Sequence, residues 1–262
     1  MPPAARLQRT EAIILRLQDY AEADRILTLL TPGGKRSALA KGIRRLTSRK
    51  AGHLEHFYRS QLMLAKGRNF AIVTQAESIE TFEGLRDDLL RYTYACYAGE
   101  MMDRFAQEDE ESVALYDLML QGLRWFSQEA DLRLWMRYFE LRLLGLAGFQ
   151  PELFTCVGCQ APIEALPNRF SSLHGGLLCP HCEAVDPSAQ PVSVNAQKVL
   201  RYLSRQDAEA VRSLDLHEST HAEVERLLQA YVRDVLEREL KSVGFLQHLR
   251  LELQALERAG RP

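Results

Sequence analysis

Four of the five cysteines, Cys156, Cys159, Cys179 and Cys182, follow a C-x2-C-x19-C-x2-C spacing. Two such pairs on two short arms let four thiolates converge on one tetrahedral ion, and Zn2+ is the ion this sulfur set selects. Four protein ligands also complete the coordination sphere, which leaves no position where a water could be activated. The chemistry to expect is a structural zinc, one per chain. A redox dithiol needs only one pair, and the zinc deaminase signature of H-x-E with P-C-x-x-C is absent, since Thr155 and Leu178, not prolines, precede the two C-x-x-C pairs. His174 and His181 fall nearby, but beside a full thiolate set they read as exposed turn residues.

The second concentration of chemistry is cationic. Residues 1–83 hold 14 Lys or Arg against 8 Asp or Glu, which leaves 19 and 27 of the 33 and 35 for the rest of the chain. The near-neutral total of −2 thus hides a basic N-terminal third and an acidic remainder. From Gly33 to Arg68 ten cations accompany one acid, Glu55. Such a block is the footprint of a surface for nucleic-acid backbone, and Lys35, Arg36, Lys41, Arg44, Arg45, Arg49 and Lys50 are its candidate DNA contacts. Thr47 and Ser48 add hydroxyl donors for phosphate oxygens. Tyr20, Phe57, Tyr58 and Phe70 have the flat faces that stack on bases, although barrel core is the commoner fate of such residues.

No catalytic constellation accompanies these groups. Gly33-Gly34-Lys35 lacks the G-x-x-x-x-G-K-[ST] pattern of a phosphate-binding loop and reads as a hairpin turn. His53-Leu54-Glu55-His56 has neither zincin spacing, and no G-x-S-x-G nucleophile elbow occurs. The expectation is a protein that is not an enzyme.

Short apolar runs at period two must carry the cations. Residues 12–17, 25–30, 35–40, 62–65 and 70–73 read as five strands, with the basic connection between the third and fourth. That number of strands fits a small barrel of the oligonucleotide-binding kind, with an SH3-like barrel as the alternative. From Leu85 the period becomes helical: Leu85, Leu89, Tyr92 and Cys96 begin one helix, and Cys96 reads as a core thiol. Val113, Tyr116, Leu120 and Leu123 mark a second, and Leu132, Trp135, Phe139, Leu143 and Leu146 a third that stops at Gly148. Thr220 and Glu223 form a capping box for a later helix carrying Val224, Leu227, Leu228, Tyr231, Val235 and Leu236. The expected architecture is α+β and multidomain: an oligonucleotide-binding barrel over 1–83, a helical domain in two parts over 84–152 and 189–262, and a zinc ribbon inserted over 153–188. No apolar run is long enough for a membrane span, and free thiolates suit the cytoplasm.

The chain resembles one family, the bacterial recombination mediator RecO. The resemblance rests on Ala12-Ile13-Ile14-Leu15-Arg16, on the run from Tyr20 to Pro32, and on Ala40-Lys41-Gly42-Ile43-Arg44-Arg45. It continues through Phe139 to Leu144, Gly148-Phe149-Gln150-Pro151 before Cys156, and Leu240-Lys241-Ser242. Met1 to Arg6 fall outside it and read as a loose tail. The resemblance implies binding of single- and double-stranded DNA, annealing of complementary strands, and work with RecR that helps RecA replace single-stranded-DNA-binding protein. It also implies association with the nucleoid. Two readings from other classes stand beside it: a zinc-ribbon transcription or RNA-binding factor, which would prefer one sequence or RNA, and a scaffold whose main contacts are proteins.

Overall fold

Strand β1 (Leu7–Tyr20) is long enough to serve two partners, and this closes the first sheet. Its first half pairs with β4 (Arg59–Ala65), Leu7 opposite Ala65 through Ile13 opposite Arg59. Its second half pairs with β2 (Asp24–Thr31), and a register irregularity between Ile14 and Arg16 bends the strand where it changes partner. Strand β2 pairs with β3 (Gly34–Ala40), β3 runs parallel to β5 (Ala71–Glu80), and β5 returns antiparallel to β4. The order β1-β2-β3-β5-β4 is a closed barrel, the Greek-key arrangement of the oligonucleotide-binding fold.

In a computed structural model, residues 7–108 and 110–259 are described, with side chains to 256; Met1 to Arg6, expected to form a tail, lie outside them. The chain divides into two compact units, residues 1–129 with 245–262, and residues 130–244.

In the first unit, alternation sends Ala12, Ile14, Leu27, Leu29, Ala38, Leu62, Leu64 and Val73 into the barrel core. Ile13, Leu15 and Leu30 take the opposite phase yet are buried, because α2 (Leu89–Phe105) packs on β1 and α3 (Val113–Gln128) on β2. The helix expected to begin at Leu85 is instead two. A short α1 (Glu83–Arg86) buries Leu85, and Asp88 then caps α2 by accepting from the amides of Leu90 and Arg91. Leu89 therefore starts a new helix and stands 57% exposed, outside the stripe that its spacing suggested.

In the second unit, α4 (Leu132–Leu146) packs against α5 (Val194–Arg205) and α7 (Glu218–Leu236), with the short α6 (Ala208–Arg212) between those two in sequence. Gly148, at φ +83°, ends α4: its amide donates to the Gly145 carbonyl at 3.2 Å and that of Phe149 to Leu144 at 2.7 Å, a Schellman stop. The capping box expected at Thr220 is not formed. His217 caps α7 by accepting from the Ser219 amide, which puts Thr220 inside the first turn. Glu223 instead accepts from the amide and hydroxyl of Ser193, each at 2.7 Å, and Ser193 caps α5. Strands β6 (Asn168–Ser171), β7 (Gly176–Leu178) and β8 (Gln190–Val192) form a small sheet in the order β7-β6-β8 between α4 and α5 in sequence. The last helix, α8 (Lys241–Ala259), lies mostly in the first unit.

Candidate nucleic-acid interface and metal centre

The cationic connection between β3 and β4 is held at both ends by the barrel core. Ile43 and Leu54 are buried in that core at 3% and 0% exposure, which leaves residues 44–49 between them at the surface. Backbone hydrogen bonds fix the first half: the Gly42 amide donates to Asp24 at 2.7 Å and the Arg44 amide to the Ala23 carbonyl at 3.0 Å. The second half turns through Arg45–Ser48 and a 3-10 turn at Ala51–His53. This is a connection with a defined path, so its side chains present charge from fixed positions.

The seven cations singled out by sequence divide in two. Lys41, Arg44, Arg45 and Arg49 are exposed together on this connection. Arg44 reaches Asp19 at 3.5 Å, and Asp19 also accepts from Arg25 at 2.9 Å. The hydrogen bond from Arg25, with the charge of Arg44 beside it, holds the Asp19 carboxyl below the ordinary carboxylate range. The other three are turned to neighbours. Lys35 donates to the Asp103 carbonyl at 2.5 Å and pairs with its carboxylate at 3.4 Å, pinning β3 to α2. Lys50 donates to the Val73 carbonyl at 2.9 Å, and burial lowers its pKa from 10.5. Arg36 donates to Gln8 on β1 at 2.9 Å. Arg16, Lys66 and Arg68 are exposed cations of the same barrel that sequence reasoning did not single out. Strict period two would carry Arg16 inward with Ala12 and Ile14, and it is the register irregularity between Ile14 and Arg16 that turns it out, which no sequence pattern announces. Lys66 and Arg68, by contrast, sit in a hairpin turn, a signal that could have found them.

Of the four aromatics, Phe57 and Tyr58 are buried at 2% and 7%. Phe57 sits at φ +65° and stacks on His56 at 3.8 Å between ring centroids. Tyr20 is half exposed at the end of β1, and Phe70 is partly covered just before β5.

The metal-ligand candidates are brought together in the second unit. The Sγ atoms of Cys156, Cys159, Cys179 and Cys182 all lie within 4.8 Å of one another. Cys159 and Cys179 are 3.8 Å apart at sulfur, far beyond a disulfide bond and close to the roughly 3.8 Å edge of a tetrahedron with 2.3 Å metal–thiolate bonds. Backbone donors face the cluster: the amides of Gly158 and Cys179 point at Cys156 Sγ at 3.4 and 3.3 Å. Burial opposes ionisation of Cys156, but these amides outweigh it and pull the thiol down to about 6. At Gly158 a Cβ would stand 3.1 Å from Cys182 Sγ, so the knuckle has room for glycine alone without shifting the second arm. Glu152 accepts from the amides of Phe154 and Thr155, and Cys156 and Ala161 close the knuckle with a 2.7 Å bond. The donor set, its spacing and its amide cradle fit one metal ion.

His174 stands outside this cluster. Its ring bonds to the Ser171 hydroxyl at 3.0 Å, and Ser171 donates to the buried Asp186 at 2.6 Å. His181 is exposed. Cys96 is only partly buried, and burial pushes its thiol up to about 11. Among the described residues no helix is long and apolar enough to cross a membrane.

Comparison with known proteins matches residues 6–82 to the family described as Recombination protein O N terminal, and residues 86–243 to Recombination protein O C terminal. A DNA repair protein RecO of Roseiflexus sp. (strain RS-1) is 45% identical over 249 residues, 95% of this chain and 88% of its own length. The proteins of the same name from Desulforudis audaxviator and from Dehalococcoides mccartyi strain BAV1 are 40% and 36% identical. Those matches cover 92% and 93% of this chain, and 96% of each relative.

Proposed function

The chain belongs to the RecO family of DNA repair proteins, and on that premise we propose that it is a non-catalytic recombination mediator that binds single- and double-stranded DNA and anneals complementary strands. With RecR, it helps RecA replace single-stranded-DNA-binding protein, in the cytoplasm and on the nucleoid. The observation that carries the reading is the anchored connection that exposes Lys41, Arg44, Arg45 and Arg49 on an oligonucleotide-binding barrel.

Cations held at fixed positions on such a barrel neutralise phosphates without reading base edges. Two strands carried on these surfaces repel one another less, and complementary bases then pair. Lys35, Arg36 and Lys50 serve this surface indirectly, by holding β3 and the connection in place. The metal is Zn2+ bound by Cys156, Cys159, Cys179 and Cys182, and it crosslinks the two arms of the ribbon.

Binding to unrelated single strands is titrated with salt for the parent protein and for Arg44→Ala, Arg45→Ala, and annealing is followed in the same samples. The reading expects a steep salt slope, which the variant flattens by about 0.7 for each phosphate it no longer neutralises, and slower annealing in the variant. Sequence-selective or salt-insensitive binding without annealing would sink it.

A further inference from the structure

Leu46 is exposed at 107% on the cationic connection, between Arg45 and Thr47, and Tyr20 is 48% exposed at the end of β1. A single exposed leucine is ordinary on a protein surface. These two are set apart by their frame. The turn that follows Tyr20 receives the Arg44 amide at Ala23 and the Gly42 amide at Asp24, and Asp19, next to Tyr20, meets the Arg44 guanidinium. An aromatic ring and an aliphatic tip thus stand on one scaffold, Tyr20 next to the Asp19 that meets Arg44 and Leu46 next to Arg45, and residues 41–54 contain no acid.

Cations that hold a phosphate backbone bring its bases against whatever stands beside them. A ring there offers a stacking face, and an aliphatic tip can enter between neighbouring bases. In a duplex that entry disrupts stacking and pairing, whereas in an unpaired strand most of this cost is absent. We propose that Tyr20 and Leu46 form a base-contacting edge, Tyr20 by stacking and Leu46 by insertion, which gives the connection a preference for unpaired over paired DNA. The proposal rests on the reading of the connection as a DNA surface and adds to it the residues that distinguish the two forms.

The test measures affinity for a single strand and for the duplex of the same sequence, each across a salt series. Tyr20→Ala and Leu46→Ala are each expected to weaken single-strand binding roughly five- to thirty-fold, with duplex affinity and both salt slopes kept, because the cations that neutralise phosphates are all retained. Tyr20→Phe keeps the ring and is expected to bind single strands as the parent does. A 2-aminopurine placed in the strand is expected to brighten on binding the parent protein and not Leu46→Ala. Equal losses on both DNA forms, or no loss on the single strand, would overturn the edge. An Arg44→Ala, Arg45→Ala protein that binds like the parent removes the underlying DNA surface and the proposal with it. A weakened arginine variant beside an unaffected Leu46→Ala overturns the base-contacting edge alone.

Discussion

The Asp19 carboxylate accepts from Arg25 at 2.9 Å and faces Arg44 at 3.5 Å, so one of the exposed cations is partly neutralised before any ligand arrives. An exposed pair of this kind is held weakly, and a phosphate can take the place of the carboxylate. Asp19→Asn keeps the hydrogen bond from Arg25 through the amide oxygen while removing the charge. DNA affinity at low salt is expected to rise roughly two- to five-fold, with a salt slope on single strands steeper by up to about 0.7. Unchanged affinity in a fluorescence-anisotropy titration would mean that Arg44 does not face the backbone.

His56 connects the barrel to α2 through a fixed tautomer. Nε2 lies 2.8 Å from the Leu15 carbonyl, which can only accept, so Nε2 carries the proton and Nδ1 accepts from Tyr92 Oη at 2.7 Å. Burial lowers the His56 pKa below 6.5, against the opposing pull of the Leu15 carbonyl. The unfolded chain therefore binds the proton first as pH falls. Stability from this group is complete above about pH 6.5 and is lost as pH drops toward the folded value, at no more than about 1.4 kcal/mol per unit. Thermal melts between neutral and mildly acidic pH should show this decline, and His56→Gln should flatten it. An equal decline in the variant would assign it to other groups.

Glu223 lies on α7 but serves α5. Its two bonds to Ser193 hold the residue that caps α5, so the carboxylate supports the start of a helix other than its own. Glu223→Ala is expected to cost about 1 kcal/mol. Amide exchange should quicken over Val194–Gln197 and stay slow at the start of α7. Faster exchange at Thr220–Val224 instead would restore the capping box that the sequence suggested.

The contrast between these residues shows which features a local sequence pattern carries. The barrel strands were legible because Leu27 and Leu29 alternate with partly polar neighbours, and the cysteine cluster because its chemistry is written in local spacing. Leu85 and Leu89 misled because helical spacing does not register a break, and Asp88 caps a new helix between them. Lys35 has the same charge as Lys41, but its partner Asp103 is 68 residues away in sequence, and only the packing of α2 on the barrel brings them together. Phe57 is buried through a positive φ that no side-chain pattern announces. Periodicity conveys which face is apolar; it does not convey which polar groups find each other across the fold.

The cysteine cluster and the cationic connection lie in different units, so their contributions to stability and to DNA binding can be measured apart. The cluster's four thiolates and the amides of Gly158 and Cys179 belong to the unit of residues 130–244, whereas the exposed cations belong to the barrel unit. Without an ion, four thiols within 4.8 Å repel one another as they ionise, and the two arms lose their crosslink. Cys182→Ser, or removal of zinc by a strong chelator, is therefore expected to lower the thermal midpoint of this unit and to raise amide exchange over residues 153–192. The salt slope for single-stranded DNA should stay that of the metal-loaded protein. One equivalent of zinc released per chain, measured with a colorimetric indicator, accompanies the first change. Loss of DNA affinity in step with zinc release would instead make the ribbon part of the DNA surface.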